Sequence, residues 1–140
     1  MKVYFSCSIT GGRSDQKVYQ SIVRHLEEQG WEVPTAHLAG AGVLDEEGVA
    51  DPIEVYQRDV NWVKESDIMV VEVSTPSHGV GYEIAIAEFN QKPIFCCYEA
   101  GKKISKMILG NGYPYLQIYA YHSPVDLFSA LDAFLQDFQQ

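Results

Sequence analysis

The apolar run Ile68-Met69-Val70-Val71-Glu72-Val73 stops at Ser74-Thr75-Pro76-Ser77-His78-Gly79-Val80-Gly81-Tyr82-Glu83, and Ile84-Ala85-Ile86-Ala87-Glu88-Phe89 then continues in a helix-like pattern. A strand, a small-residue loop and a helix in that order are the unit from which parallel α/β sheets are built. The loop between them is where α/β enzymes commonly hold a reactive group. This reading puts Glu83 in the first turn of the helix, where a carboxylate alone could do no more than complement the helix dipole. Its candidacy depends on partners elsewhere in the chain.

The same alternation extends in both directions. Lys2 to Cys7 reads as a first strand, and Ser14 to Gln29 as a helix whose Val18, Ile22 and Leu26 recur on one face, stopped by Gly30 as a left-handed C′ residue. Trp31-Glu32-Val33 begins a second strand, and His37 to Ala50, rich in Gly and Ala, reads as a loop over the site. Asp51-Pro52-Ile53-Glu54 opens a helix with an N-cap, a proline at N1 and an early carboxylate. That helix should run to about Glu65, with Ile53, Tyr56, Val60 and Val63 as its buried stripe and Asp59 at the stripe's edge. Strands near Pro93 to Tyr98 and Leu116 to Tyr119 follow, and Ser123-Pro124 opens a last helix with Leu127, Phe128, Leu131, Leu135 and Phe138 on its core face. The pattern predicts one three-layer α/β/α domain over residues 1–140, with a five-stranded, mostly parallel sheet of flavodoxin-like or Rossmann-like type.

With 140 residues and 46% apolar content, the chain can bury a core of that kind. It has no stretch long enough to span a membrane, and Met1-Lys2-Val3-Tyr4-Phe5 reads as a strand instead of a signal peptide, so a cytoplasmic protein without a membrane partner is expected. Cys7, Cys96 and Cys97 lack metal-ligand spacing and read as buried, reduced thiols; no metal is expected. A net charge of −9 opposes binding to a nucleic-acid polymer, whose affinity comes from phosphate neutralisation. A small phosphorylated ligand is still allowed, because a few converging donors can outweigh a diffuse surface charge.

Ligands of parallel sheets bind beyond the carboxyl ends of the strands, so Ser6-Cys7-Ser8-Ile9-Thr10-Gly11-Gly12-Arg13 and Ser74 to Glu83 should border one crevice. Ser8, Ser77 and Arg13 make a candidate phosphate cradle there, although Gly11-Gly12 fits a plain tight turn as well. Asp59 and Glu83 form a candidate carboxylate pair. Cleaving a glycosidic bond with retention needs one carboxylate to attack the anomeric carbon and another acid to help the leaving group. Tyr4 could hydrogen-bond the attacking carboxylate, and His37 is the histidine best placed to meet a substrate. His25 and His122 read as surface residues.

Tyr4 to Arg13, Asp59 followed by Trp62, the strand Ser66 to Val73, and Pro76-Ser77-His78-Gly79-Val80-Gly81-Tyr82-Glu83 together resemble the nucleoside 2-deoxyribosyltransferase-like family, in particular its members that hydrolyse deoxynucleoside 5′-phosphates. The resemblance covers nearly the whole chain. It implies that Glu83 is a nucleophile forming a 2-deoxyribosyl 5-phosphate ester, that Asp59 assists departure of the base, and that Tyr4 orients Glu83. It further implies a substrate site lined by Cys7, Ser8, Ile9, Thr10, Gly11, Gly12, Arg13, Tyr19, His37 and Gly79, with Ser77 holding the 5′-phosphate. Ser105, Lys106 and Met107 match a segment that reaches into the neighbouring subunit's site, which implies a homodimer. Thr10 stands where a basic residue is familiar and Cys7 where glycine is, and both departures bear on the substrate. The expectation is hydrolysis of deoxynucleoside 5′-monophosphates without a cofactor. The alternatives are base exchange by a deoxyribosyltransferase and a nucleotide sensor without turnover.

Overall fold

The computed structural model describes residues 1–9, 15–40, 42 and 48–139. Its elements are β1 (Val3–Ser6), α1 (Gln16–Glu28), a 3-10 turn (Ala36–Ala39), α2 (Pro52–Glu65), β2 (Ile68–Glu72), α3 (His78–Phe89), β3 (Ile94–Glu99), the short α4 (Lys106–Leu109), β4 (Leu116–Tyr121) and α5 (Pro124–Gln136). The four strands pair in parallel in the order β1-β2-β3-β4, with Tyr4 opposite Met69 and Met69 opposite Ile94.

The expected second strand is reduced to one parallel bridge, Lys2 to Glu32, so among the described residues the sheet has four strands and not five. The reason is local. Pro34 has no N–H to extend the ladder, and the Thr35 side chain takes over, its Oγ1 accepting from the Phe5 N–H at 3.0 Å and donating to the Phe5 carbonyl at 2.7 Å. The chain thus leaves β1 toward the Glu32 side and returns to place β2 on its other side. That reversal puts the switch point of the sheet, where ligands of open α/β folds bind, between the carboxyl ends of β1 and β2.

Alternation along the strands makes two cores. Val3, Phe5, Ile68, Val70, Phe95 and Cys97 face a layer made by α1 and α5, including Ile22, Leu26, Leu131 and Leu135. Tyr4, Met69, Val71, Ile94 and Cys96 face the other layer, with Val63 of α2 and Val80, Ile84 and Ala87 of α3. The strands are buried on both faces, which is why their sequences read as nearly continuous apolar runs. Gly30, at φ +88°, ends α1 as expected, its N–H bonding the Glu27 carbonyl. His25 is not a plain surface residue. Its ring stacks on Phe128 at 4.4 Å, and its Nε2 lies 2.6 Å from Asp132 Oδ1, tying α1 to α5.

Helix α2 departs from expectation. Val63 is its one buried residue, while Ile53 and Tyr56 are 66% and 53% exposed. Only the C-terminal end of α2 joins the core over the sheet; its N-terminal half packs along α3, where the Tyr56 hydroxyl lies 3.4 Å from that of Tyr82. Asp51 holds the N-cap position in extended conformation but makes no side-chain capping bond. No helix among the described residues is long and apolar enough to cross a membrane.

Candidate active site

Ser77 begins α3 earlier than the sequence pattern suggests. Its backbone is extended and its Oγ accepts from the Val80 N–H at 3.3 Å, so His78 to Val80 already form the first turn. Glu83 therefore lies in the second turn and not the first, and it is placed for more than complementing the helix end. From there its carboxylate reaches across to β1, where the Tyr4 hydroxyl donates a hydrogen bond to Oε2. Tyr4 is fully buried. A Cβ on Gly79 would stand 3.8 Å from Glu83 Oε1 and 4.0 Å from Ser77 Oγ, so this glycine borders the space between them.

Asp59 faces the pair from α2, close enough to disfavour ionisation of both Glu83 and Tyr4. Burial is the largest influence on Glu83, pushing its carboxyl up to about 7; Asp59 adds to this, while the Tyr4 hydrogen bond and Arg58 oppose it. Burial likewise drives the Tyr4 hydroxyl far above its ordinary range, so it remains a donor. One oxygen of Asp59 is held by Arg58, whose Nε donates to Oδ1 at 2.9 Å. The Arg58 guanidinium also lies 4.8 Å from the centre of the Trp62 ring, and His37 meets Trp62 edge-on at 5.9 Å. His37, Trp62, Arg58 and Asp59 thus make one wall, and Tyr4 with Glu83 lies beside it. Arg58 was not among the residues singled out from sequence. Its spacing of four from Trp62, which puts the two on one helix face, was the available signal.

Other candidates are distributed differently. Cys7 and Ser8 are buried just beyond β1 and Ile9 is half-buried, while Thr10, Gly11, Gly12 and Arg13 lie outside the described residues. Tyr19 is fully buried on the opposite face of the sheet, packed on Phe5, with its hydroxyl turned toward Glu72, Cys7 and Asp15. Glu72, the one acid within the apolar run of β2, is fully buried on that same face. Its carboxyl accepts from the Ser74 N–H at 2.5 Å, from the Ser74 hydroxyl at 3.0 Å and from the Tyr121 hydroxyl, so it ties the end of β2 to β4. Burial raises its pKa. Thr75 donates to Asp15 at 3.0 Å, joining the β2–α3 loop to the start of α1.

Ser105, Lys106 and Met107 line a separate groove of about 1060 Å³ on another face of α3, with Ser77, Val80, Ile84, Cys96 and Ile104 among its walls. This groove omits Tyr4, Asp59 and Glu83 and shares Ser77 with the carboxylate site. Among the described residues, no group of three or more His, Cys, Asp or Glu is arranged to hold a metal ion. The three cysteines are buried and outside any disulfide, and Cys96 is pushed up to about 12, chiefly by burial.

A buried carboxylate held by a tyrosine, with a second carboxylate alongside, has the parts for nucleophilic attack at an anomeric carbon. The chain is 40% identical over 113 residues to a Methanococcoides burtonii protein provisionally named 2′-deoxynucleoside 5′-phosphate N-hydrolase 1, covering 81% of this chain and 93% of that protein. It is 42% identical over 112 residues to the 5-hydroxymethyl-dUMP N-hydrolase of Rattus norvegicus, covering 77% of this chain and 68% of the relative. A CMP N-glycosidase of Clostridium botulinum shares the fold, with a TM-score of 0.73 at 20% identity over 96% of this chain and 100% of its own. Residues 3–129 match the family described as nucleoside 2-deoxyribosyltransferase, and the chain belongs to that family.

Proposed function

We propose that this protein hydrolyses the N-glycosidic bond of 2′-deoxynucleoside 5′-monophosphates, releasing the base and 2-deoxyribose 5-phosphate. The observation that carries the reading is the Tyr4–Glu83 hydrogen bond with Asp59 beside it. Ionised Glu83 attacks C1′ as the C1′–N bond breaks, and the bonding pair leaves with the base, assisted by Asp59. Water then attacks C1′ of the glycosyl ester and regenerates the carboxylate, its proton balancing the one the base takes up. Tyr4 holds Glu83 on line. A 2-deoxy sugar suits the reaction, because it lacks the electron-withdrawing 2′-hydroxyl that would oppose an oxocarbenium-like transition state.

Phosphate recognition is supported by Ser77 at the N-terminus of α3, where backbone N–H groups and the helix dipole favour an anion. A second copy of the chain completes the site in this reading. Met107, Tyr82 and Phe89 are 85%, 56% and 90% exposed, a large apolar area for a lone subunit, and Ser105 to Met107 border Ser77 across the groove. Three buried cysteines outside any disulfide fit a reducing compartment such as the cytoplasm.

The test incubates purified protein with dGMP, dAMP, dCMP, 5-hydroxymethyl-dUMP and the matching nucleosides, following free base and sugar phosphate by chromatography, with and without a second base. Release of sugar phosphate supports hydrolysis. Base exchange without sugar release identifies a transferase, and tight binding with no base released identifies a sensor.

A further inference from the structure

We propose that Arg58 is a positioning residue for the hydrolysis put forward above: seated on Trp62 and bonded to Asp59, its guanidinium fixes that carboxylate and offsets its charge, so that Glu83 works as an anion beside it. The inference rests on that reading of the site and deepens it.

Neighbouring residues on a helix do not normally face each other. Arg58 and Asp59 nevertheless meet at 2.9 Å, and the guanidinium lies over the Trp62 ring one turn on, 4.8 Å from its centre. The ring holds the cation by its electron-rich face, while Nε is turned back to Asp59. The pair is partly sheltered, with the Arg58 and Asp59 side chains 30% and 18% exposed, so its field is incompletely screened by water. Among the described residues, the titratable and charged groups facing Glu83 are Tyr4 from β1 and Asp59 and Arg58 from α2. Two carboxylates that share a crevice oppose each other's ionisation, and a nucleophile has to be ionised. Arg58 is the described cation that relieves this conflict, and Lys could not reproduce it fully, since an ammonium lacks both the planar fork and the flat face that lies on the ring.

The experiment compares wild type, Arg58→Gln, Arg58→Met and Arg58→Lys by the pH profile of kcat/KM and by a ¹³C NMR titration of the Glu83 carboxyl in the resting protein. Removing the charge should move both the acid limb and the Glu83 titration upward by about half to one pH unit, so that kcat/KM at pH 6 falls about three- to tenfold beyond any loss at pH 8.5. Arg58→Lys should restore at least half of the shift. Arg58→Met keeps the apolar stem on Trp62 and serves where Arg58→Gln does not fold. A Glu83 titration unmoved in the neutral variants, or a loss of rate equal at every pH, overturns the proposal. A wild-type protein without turnover sinks the hydrolase reading instead, while the carboxyl titration still decides whether Arg58 governs Glu83.

Discussion

Tyr4 and Glu83 stand 79 positions apart in the chain, yet the tyrosine hydroxyl donates to the carboxylate across the gap between β1 and α3. The contact links the buried face of the sheet to the switch-point crevice. A carboxylate anchored this way cannot rotate freely, so its other oxygen stays on the side that Gly79 borders.

Glu83→Gln should keep the fold and the nucleotide affinity but lower kcat by about a thousandfold or more, since an amide is no nucleophile. In the wild type, protein quenched during turnover should carry a deoxyribose phosphate adduct on the peptide containing Glu83. Mass spectrometry reads this directly, and an adduct on another peptide removes Glu83 from the role.

The acid limb of kcat/KM should fall near pH 7, because burial pushes Glu83 up to about 7 and only the anion attacks. Activity is therefore lost as pH drops through that value. Tyr4→Phe takes away a hydrogen bond that favours the anion, so its limb should lie above the wild-type limb in the same assay. A limb near the ordinary carboxylate range in the wild type would contradict the burial argument.

The same shift bears on stability, and its sign is opposite to that of a salt-bridged acid. A carboxyl whose folded value is raised above the unfolded one binds its proton more tightly when folded, so its contribution is full below the unfolded value near 4.5 and is lost as pH rises to about 7. At pH 8 the folded protein holds an unfavourable anion. Glu83→Gln removes it and should be more stable than wild type by about 1–3 kcal/mol at pH 8, with the gain vanishing near pH 4.5. Urea unfolding at the two pH values measures the difference, and a gain of the same size at both would point to packing.

How much of this was visible in the chain depends on what each residue needed. The strands were legible because burial on both faces leaves runs such as Ile68 to Val71 almost wholly apolar, and Gly30 because only a left-handed residue ends α1 that way. The Glu83 and Asp59 pair was legible as two acids on helices that frame one crevice. Ile53 and Tyr56 were misread for a physical reason: helical periodicity reports which residues share a face, not what covers that face, and the N-terminal half of α2 runs along α3, where Tyr56 meets Tyr82, instead of over the sheet. The second strand failed on a side chain, Thr35, doing the work of backbone. Arg58 was overlooked because its partner is the adjacent residue, which spacing rules pass over, and Tyr19, placed in the substrate lining by the resemblance alone, is buried against Phe5.

Ser77 caps α3 and, in the function proposed above, also holds the 5′-phosphate, and its removal should separate the two. The hydroxyl caps α3 through the Val80 N–H, so Ser77→Ala should cost about 1 kcal/mol of stability whatever the substrate. As a phosphate contact it should also raise KM about tenfold or more for a monophosphate and much less for the nucleoside, since only the former supplies the charged acceptor. Steady-state kinetics on dGMP and deoxyguanosine in parallel give the comparison; equal losses on both would leave Ser77 as a cap alone.

Gly79 sets stability against function in a single position. It is in the first turn of α3, exposed and at a negative φ, so Gly79→Ala should stabilise the helix, by about 0.5–1 kcal/mol. The added methyl would nonetheless stand 3.8 Å from Glu83 Oε1 and 4.0 Å from Ser77 Oγ, in the space that the proposed reaction gives to the sugar and its phosphate. The protein should therefore melt higher and turn over more slowly, with kcat/KM down about tenfold and the larger share in KM, because the methyl displaces substrate without touching the carboxylate's ionisation. Calorimetry and kinetics on the same preparation decide it. A variant both more stable and fully active would mean that substrate enters the crevice from the β1 side and never passes Gly79.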